Sequence, residues 1–197
     1  MVLDEVRPAG VKTGMLWSGD IIRAVAKALG GERRPALVVD PVLAATAGGD
    51  LLRPDALPAL QEDLLPQATV ITPNLLEAAR LLGVPEIGEA DLSDAARDLR
   101  GLGCDAVLLK GGHGTSTDAV DVLATAEDVI PLGLPRLAGA NAHGTGCALA
   151  ASLAARLARG APLLEAATGA KRNVYRLVSV EQGHRAAHIE CIVPCQA

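Results

Sequence analysis

The residues in this chain best suited to chemistry lie in Asn141–Ala151, which reads NAHGTGCALAA. Gly144, Thr145 and Gly146 lead directly into a small-residue helical pattern, so the glycine turn opens onto a helix N-terminus. There the first backbone amides have no intrahelical partner and the helix dipole is positive, a combination that receives anions. Cys147 sits in that field, which favours the thiolate of a cysteine and suits it to accept a proton. A free cysteine among alanines is equally a small buried hydrophobe. Three further charged or polar groups stand at the ends of apolar runs: Asp40 after ALVV, Asn74 with Glu77 after VITP, and Lys110 after AVLL. A lysine closing a buried strand needs an anionic partner, and a phosphate supplies one. Asp40 is a candidate turn cap before Pro41, and Asn74 with Glu77 has the spacing of a helix capping box.

Positioning these groups requires alternating strands and helices. Ala36–Val42 and Ala106–Lys110 are continuous apolar runs with β-branched residues, the pattern of strands buried on both faces. Helices are expected after Ser18, closing at Gly30-Gly31, and from Arg53-Pro54-Asp55 toward Pro66. Others should span Leu75–Leu82 with a Gly83 stop, residues 91–103, the run from the glycine turn to Ala158, and about Leu163–Val180. Asp118–Leu123 and Val129–Leu137 look like antiparallel or edge strands. The alternation predicts a three-layer α/β fold with a mostly parallel sheet. Ligands of such sheets bind beyond the carboxyl ends of the strands, where Asp40, Asn74, Lys110 and the glycine turn should converge.

The 197 residues, half of them apolar, suit one domain over 1–197. A net charge of −5 with no Phe, one Trp and one Tyr excludes a basic or aromatic nucleic-acid platform. Apolar runs are too short to span a membrane and the N-terminus lacks a signal-like basic start, so a cytoplasmic protein is expected. Its four cysteines (Cys104, Cys147, Cys191, Cys195) read as thiols.

VKTGML (11–16), VVDPV (38–42), ITPNLLEAARLLG (71–83), VLLKGGH (107–113) and NAHGTGCALAASLAA (141–155) occur in one order and spacing. Together these five blocks resemble the hydroxymethylpyrimidine and phosphomethylpyrimidine kinases of thiamine biosynthesis, members of the ribokinase-like superfamily. The resemblance covers about residues 10–180 and implies a three-layer ribokinase-like fold. It also implies ATP-dependent phosphorylation of hydroxymethylpyrimidine or its monophosphate, with Mg²⁺. Most of the superfamily carries aspartate in the glycine loop, whereas cysteine there is similar to this branch and to certain bacterial pyridoxal kinases. A pyridoxal or pyridoxine kinase is therefore the alternative within the fold, and a non-catalytic nucleotide-binding homologue the alternative outside catalysis.

By this resemblance Cys147 is the base that deprotonates the attacking hydroxymethyl group, and Gly144, Thr145 and Gly146 form the anion hole. Asp40 acts on Mg²⁺ through water, and Asn74 and Glu77 organise Mg²⁺ and the nucleotide phosphates. Lys110 and Gly112 contact ATP, while Met15 and Val42 join Cys147 at the pyrimidine, although as apolar residues they are equally plain core. Lys171 aligns loosely with a nucleotide-side lysine, but a solvated helix face is the expected setting. The family's opening strand, glycine-rich segment, small strand lid and pyrimidine-gripping polar residue have no counterpart before VKTGML. The expectation is an N-terminally truncated fold with an incomplete acceptor pocket, and a homodimer surface depleted with it. Residues 181–197 diverge from the family. There His184, His188, Cys191 and Cys195 have ligand types suited to Zn²⁺, or the segment is an irregular end.

Overall fold

The computed structural model of the chain describes residues 2–31, 34–44, 48–112, 117–137 and 144–181. Its centre is a six-stranded sheet whose spatial order follows the sequence: β1 (Gly10–Thr13), β2 (Ala36–Val39), β3 (Val70–Ile71), β4 (Val107–Leu109), β5 (Asp118–Ala124) and β6 (Val129–Pro135). The first four are parallel, while β5 and β6 return antiparallel as a hairpin, as the acid-apolar alternation of 118–123 and the prolines of 129–137 lead one to expect. Pro131 and Pro135 lie on edge strand β6, where a missing amide leaves no central ladder broken.

A parallel sheet that grows in one direction with right-handed crossovers places every crossover on the same face. That face carries α2 (Gly19–Leu29), an irregular helical connection over 54–67, α4 (Leu75–Leu82) and α5 (Leu92–Arg100). The short α3 (Leu57–Ala59) lies within the irregular connection. Leu37, Val39, Ile71, Val107 and Leu109 point into this core. Their neighbours Val38, Val70, Ala106 and Leu108 point to the opposite face, which is covered by α6 (Thr145–Ala158) and α7 (Leu163–Glu181). Period-two alternation of apolar residues on both faces is why these strands read as unbroken hydrophobic runs. The short α1 (Val2–Val6) precedes β1 and carried no sequence signal.

Helix boundaries follow local chemistry. The Ser18 hydroxyl accepts from the Ile21 amide to start α2, and Gly30 caps its end. Asn74 and Glu77 form a reciprocal capping box at α4, each side chain accepting from the other's backbone amide at 2.8 Å, and Gly83 ends the helix in the left-handed conformation. The expected single helix from Pro54 to Pro66 is instead a succession of 3-10, α and π turns. Prolines at 54, 58 and 66 interrupt the regular bonding pattern. Among the described residues, no helix is long and apolar enough to cross a membrane.

Candidate active site

The carboxyl ends of β1 to β4 bring one charged residue each into a single cluster. Asp40 follows β2 and is 2% exposed. One of its oxygens accepts from the Thr72 hydroxyl and from Lys110 Nζ, both at 3.1 Å, and the other stands 3.8 Å from Lys12 Nζ. Lys110 follows β4, where its amide donates to Pro73 and its backbone bridges to Asn74. Its ammonium also lies 3.9 Å from Glu77. A Cβ placed on Gly146 would stand 3.1 Å from the same nitrogen, so Lys110 reaches the first turn of α6. Asp40, Asn74, Glu77, Lys110 and Gly146 are therefore gathered as expected.

Lys110 settles against two carboxylates, which offset the desolvation of a cation only 15% exposed at its side chain. The capping geometry of Asn74 and Glu77 coexists with their place in the cluster, because the Glu77 oxygen that accepts the Asn74 amide also faces Lys110. Burial away from water is the largest influence on Glu77 and pushes its carboxyl above the ordinary value. Lys110 and the Asn74 amide pull it back, the charge of Asp40 adds to the rise, and a backbone bond from Leu43 opposes it.

The native pKa of Glu77 thus exceeds the unfolded value of 4.5. Between the two values the native state holds a proton that the unfolded chain has released. The contribution to stability is therefore complete below 4.5 and is lost as pH rises through the native pKa. Glu77→Gln keeps an oxygen for the cap and removes the charge. It is expected to stabilise the protein by about 1 kcal/mol at neutral pH, with the gain closing in acid. Thermal melting across pH checks this, and a lower melting temperature at neutral pH would show that the Lys110 attraction outweighs burial.

At the start of α6, Gly144 has φ +81°, a left-handed conformation that carries the chain from the loop into the helix and that side chains rarely adopt. The first intrahelical bond runs from Ala148 to Gly144. The turn ahead of it contains Thr145, Gly146 and Cys147, with no acidic residue to compete for an anion. Cys147 is exposed, which removes the reading of it as a buried hydrophobe. Cys104, in contrast, is buried, and desolvation pushes its thiol up to about 11. Asn141–His143 of the motif lie outside the described residues.

Gly112 is exposed and its carbonyl accepts from Arg136. Met15 is 55% exposed and Val42 half-buried, and neither belongs to the two apolar cores. Lys171 departs from expectation. It is 7% exposed and paired with Asp121 on β5, because its place on α7 faces the sheet and not solvent. Lys12 is a member of the cluster that the sequence reading passed over, although it lies within VKTGML. The signal was a lysine at the end of a strand, the same feature that singled out Lys110. His184, His188, Cys191 and Cys195 lie outside the described residues.

A three-layer α/β sheet with charged strand ends facing a glycine-started helix defines a protein of ribokinase-like fold. Residues 1–190 match the family described as "Phosphomethylpyrimidine kinase". The hydroxymethylpyrimidine/phosphomethylpyrimidine kinase of Rhizobium meliloti is 42% identical over 179 residues, covering 90% of this chain and 67% of that protein. Among solved structures, the phosphomethylpyrimidine kinase of Clostridium difficile superposes with TM-score 0.76 at 30% identity, covering 90% of this chain and 72% of that one. The ADP complex of Bacillus subtilis pyridoxal kinase gives TM-score 0.76 at 38% identity, covering 83% and 62%. The chain belongs to the phosphomethylpyrimidine kinase family, and it spans about two thirds of the length of these relatives.

Proposed function

We propose that the protein transfers the γ-phosphoryl group of ATP to the hydroxymethyl group of hydroxymethylpyrimidine, or to the phosphate of its monophosphate, in thiamine biosynthesis. The observation that carries the reading is the meeting of Asp40, Glu77 and Lys110 with the first turn of α6. Cys147 takes the proton from the attacking hydroxyl. The first-turn amides of Gly144 to Cys147 hold the transferring phosphoryl oxygens, where negative charge is spread in the transition state. Lys110, with Gly112 beside it, contacts the nucleotide phosphates, and Asn74 with Glu77 orders them.

The hard oxygen donors of Asp40 and Glu77 fit Mg²⁺, which would be held partly through water and would neutralise phosphate charge. Lys12 and Lys110 hold the two carboxylates in place. Met15 and Val42 face the pyrimidine, which explains apolar side chains left outside both cores. We take residues 1–197 as a single domain acting in the cytoplasm, as a homodimer if the family's dimer surface persists.

The test is acceptor-dependent ADP formation over a panel of hydroxymethylpyrimidine, its monophosphate, pyridoxal and pyridoxine. Turnover with the pyrimidines supports the reading, and turnover confined to pyridoxal or pyridoxine replaces it with the other vitamin kinase. Nucleotide binding with no turnover on any acceptor identifies a non-catalytic homologue.

A further inference from the structure

Outside the strand-end cluster, a second buried ion pair joins a helix layer to the central sheet. Lys171 Nζ of α7 lies 2.7 Å from an Asp121 oxygen on β5, with each side chain 8% exposed. Two charges removed from water gain little stability over a well-fitted apolar pair, so stability alone is a poor account of them. The other Asp121 oxygen accepts the Gly111 amide at 3.1 Å. Gly111 follows Lys110 directly and approaches β5 so closely that a Cβ there would run into the Val120 carbonyl oxygen. At Gly112 the carbonyl accepts from the Arg136 guanidinium, which also donates to the Asp118 carbonyl. The turn after β4 is thus held at its amide by Asp121 and at its carbonyl by Arg136, and Asp121 is itself held by Lys171.

We infer that Asp121 and Lys171 are positioning residues for the nucleotide-phosphate contacts of Lys110 and Gly112, with Lys171 acting through Asp121 and not on the nucleotide itself. The inference rests on the proposed ATP site. A charged acceptor bonds an amide about twice as strongly as a neutral one, and Lys171, paired with the other oxygen, holds that acceptor aimed at Gly111. The role is separable from folding, because an asparagine at 121 retains an oxygen for Gly111 without needing a cation beside it, whereas leucine does not.

The experiment compares the unaltered protein with Asp121→Leu/Lys171→Met and Asp121→Asn/Lys171→Met. Neither pair of changes leaves an unpaired buried charge. Calorimetric titration with magnesium AMP-PNP is expected to show about tenfold weaker binding for the leucine pair and rescue to within about threefold for the asparagine pair. Affinity for hydroxymethylpyrimidine should be unchanged in both. Asp121→Val/Lys171→Met, whose β-branched residue suits a strand, gives the same reading if the leucine pair does not fold.

Unchanged nucleotide affinity in a folded leucine or valine pair overturns the inference while the ATP site stands. Equal losses in the leucine and asparagine pairs also overturn it, because Lys171 would then touch the nucleotide directly. If the unaltered protein binds no nucleotide, or Lys110→Met binds as well as it does, the ATP site itself fails and the inference with it.

Discussion

Replacing Cys147 with alanine is expected to lower acceptor-dependent phosphoryl transfer by about 10²–10⁴-fold while leaving nucleotide affinity and melting temperature nearly unchanged. The side chain is exposed in the first turn of α6, so its removal opens no cavity, and surface changes of this kind usually stay within about 0.5 kcal/mol. A positioned base contributes only when the hydroxyl proton is in flight, so its loss should fall on kcat. A serine would keep the size but not the acidity of the thiol and should rescue little. Steady-state kinetics and a thermal melt of the same preparation separate the outcomes. A Cys147→Ala protein that turns over normally would remove Cys147 from the chemistry and return it to an ordinary helix-start residue.

Lys110→Met should act on both stability and chemistry. Its ammonium stands between Asp40 and Glu77, whose side chains are 3% and 9% exposed, and removal leaves both carboxylates short of a partner. Breaking a buried pair from one side costs about 3–5 kcal/mol, and Lys12 at 3.8 Å from Asp40 offsets part of that. Because Lys110 lowers the Glu77 pKa, its loss raises that pKa further. The Glu77 part of the destabilisation is therefore greatest at neutral pH and shrinks in acid as Glu77 takes up its proton. Turnover should fall by about 10²–10³-fold, the usual effect of removing one preorganised donor from a developing anion. Melting curves that show the same loss at acid and neutral pH would contradict the electrostatic account of the cluster.

Local chemistry explains why much of this was legible in the sequence. The Asn74–Glu77 capping box, the Gly83 stop and the Ser18 cap are set by residues a few positions apart, and periodicity placed α6 and α7 to within a residue or two and α5 to within three. The strand-end charges were visible because Asp40 and Lys110 interrupt apolar runs that must be buried. Lys171 was not legible in the same way. Nothing within a helical turn of it indicates that its partner, Asp121, lies on a strand 50 residues earlier, so a solvated face was the natural expectation. Lys12 was hidden by a different cause, since its pairing with Asp40 depends on the parallel register of β1 against β2. The irregular turns over 54–67 follow from prolines whose effect on bonding is local but whose tolerance is decided by packing against the core.

The central claim is that this strand-end cluster and the α6 turn form a phosphoryl-transfer site. Its most direct test is a single-turnover reaction with the protein in excess over γ-labelled ATP and hydroxymethylpyrimidine present. The prediction is that label appears on the hydroxymethyl oxygen of the pyrimidine, with no such product from Cys147→Ala on the same timescale. ATP that binds but gives up its label only to water, at a rate indifferent to the pyrimidine, would contradict it.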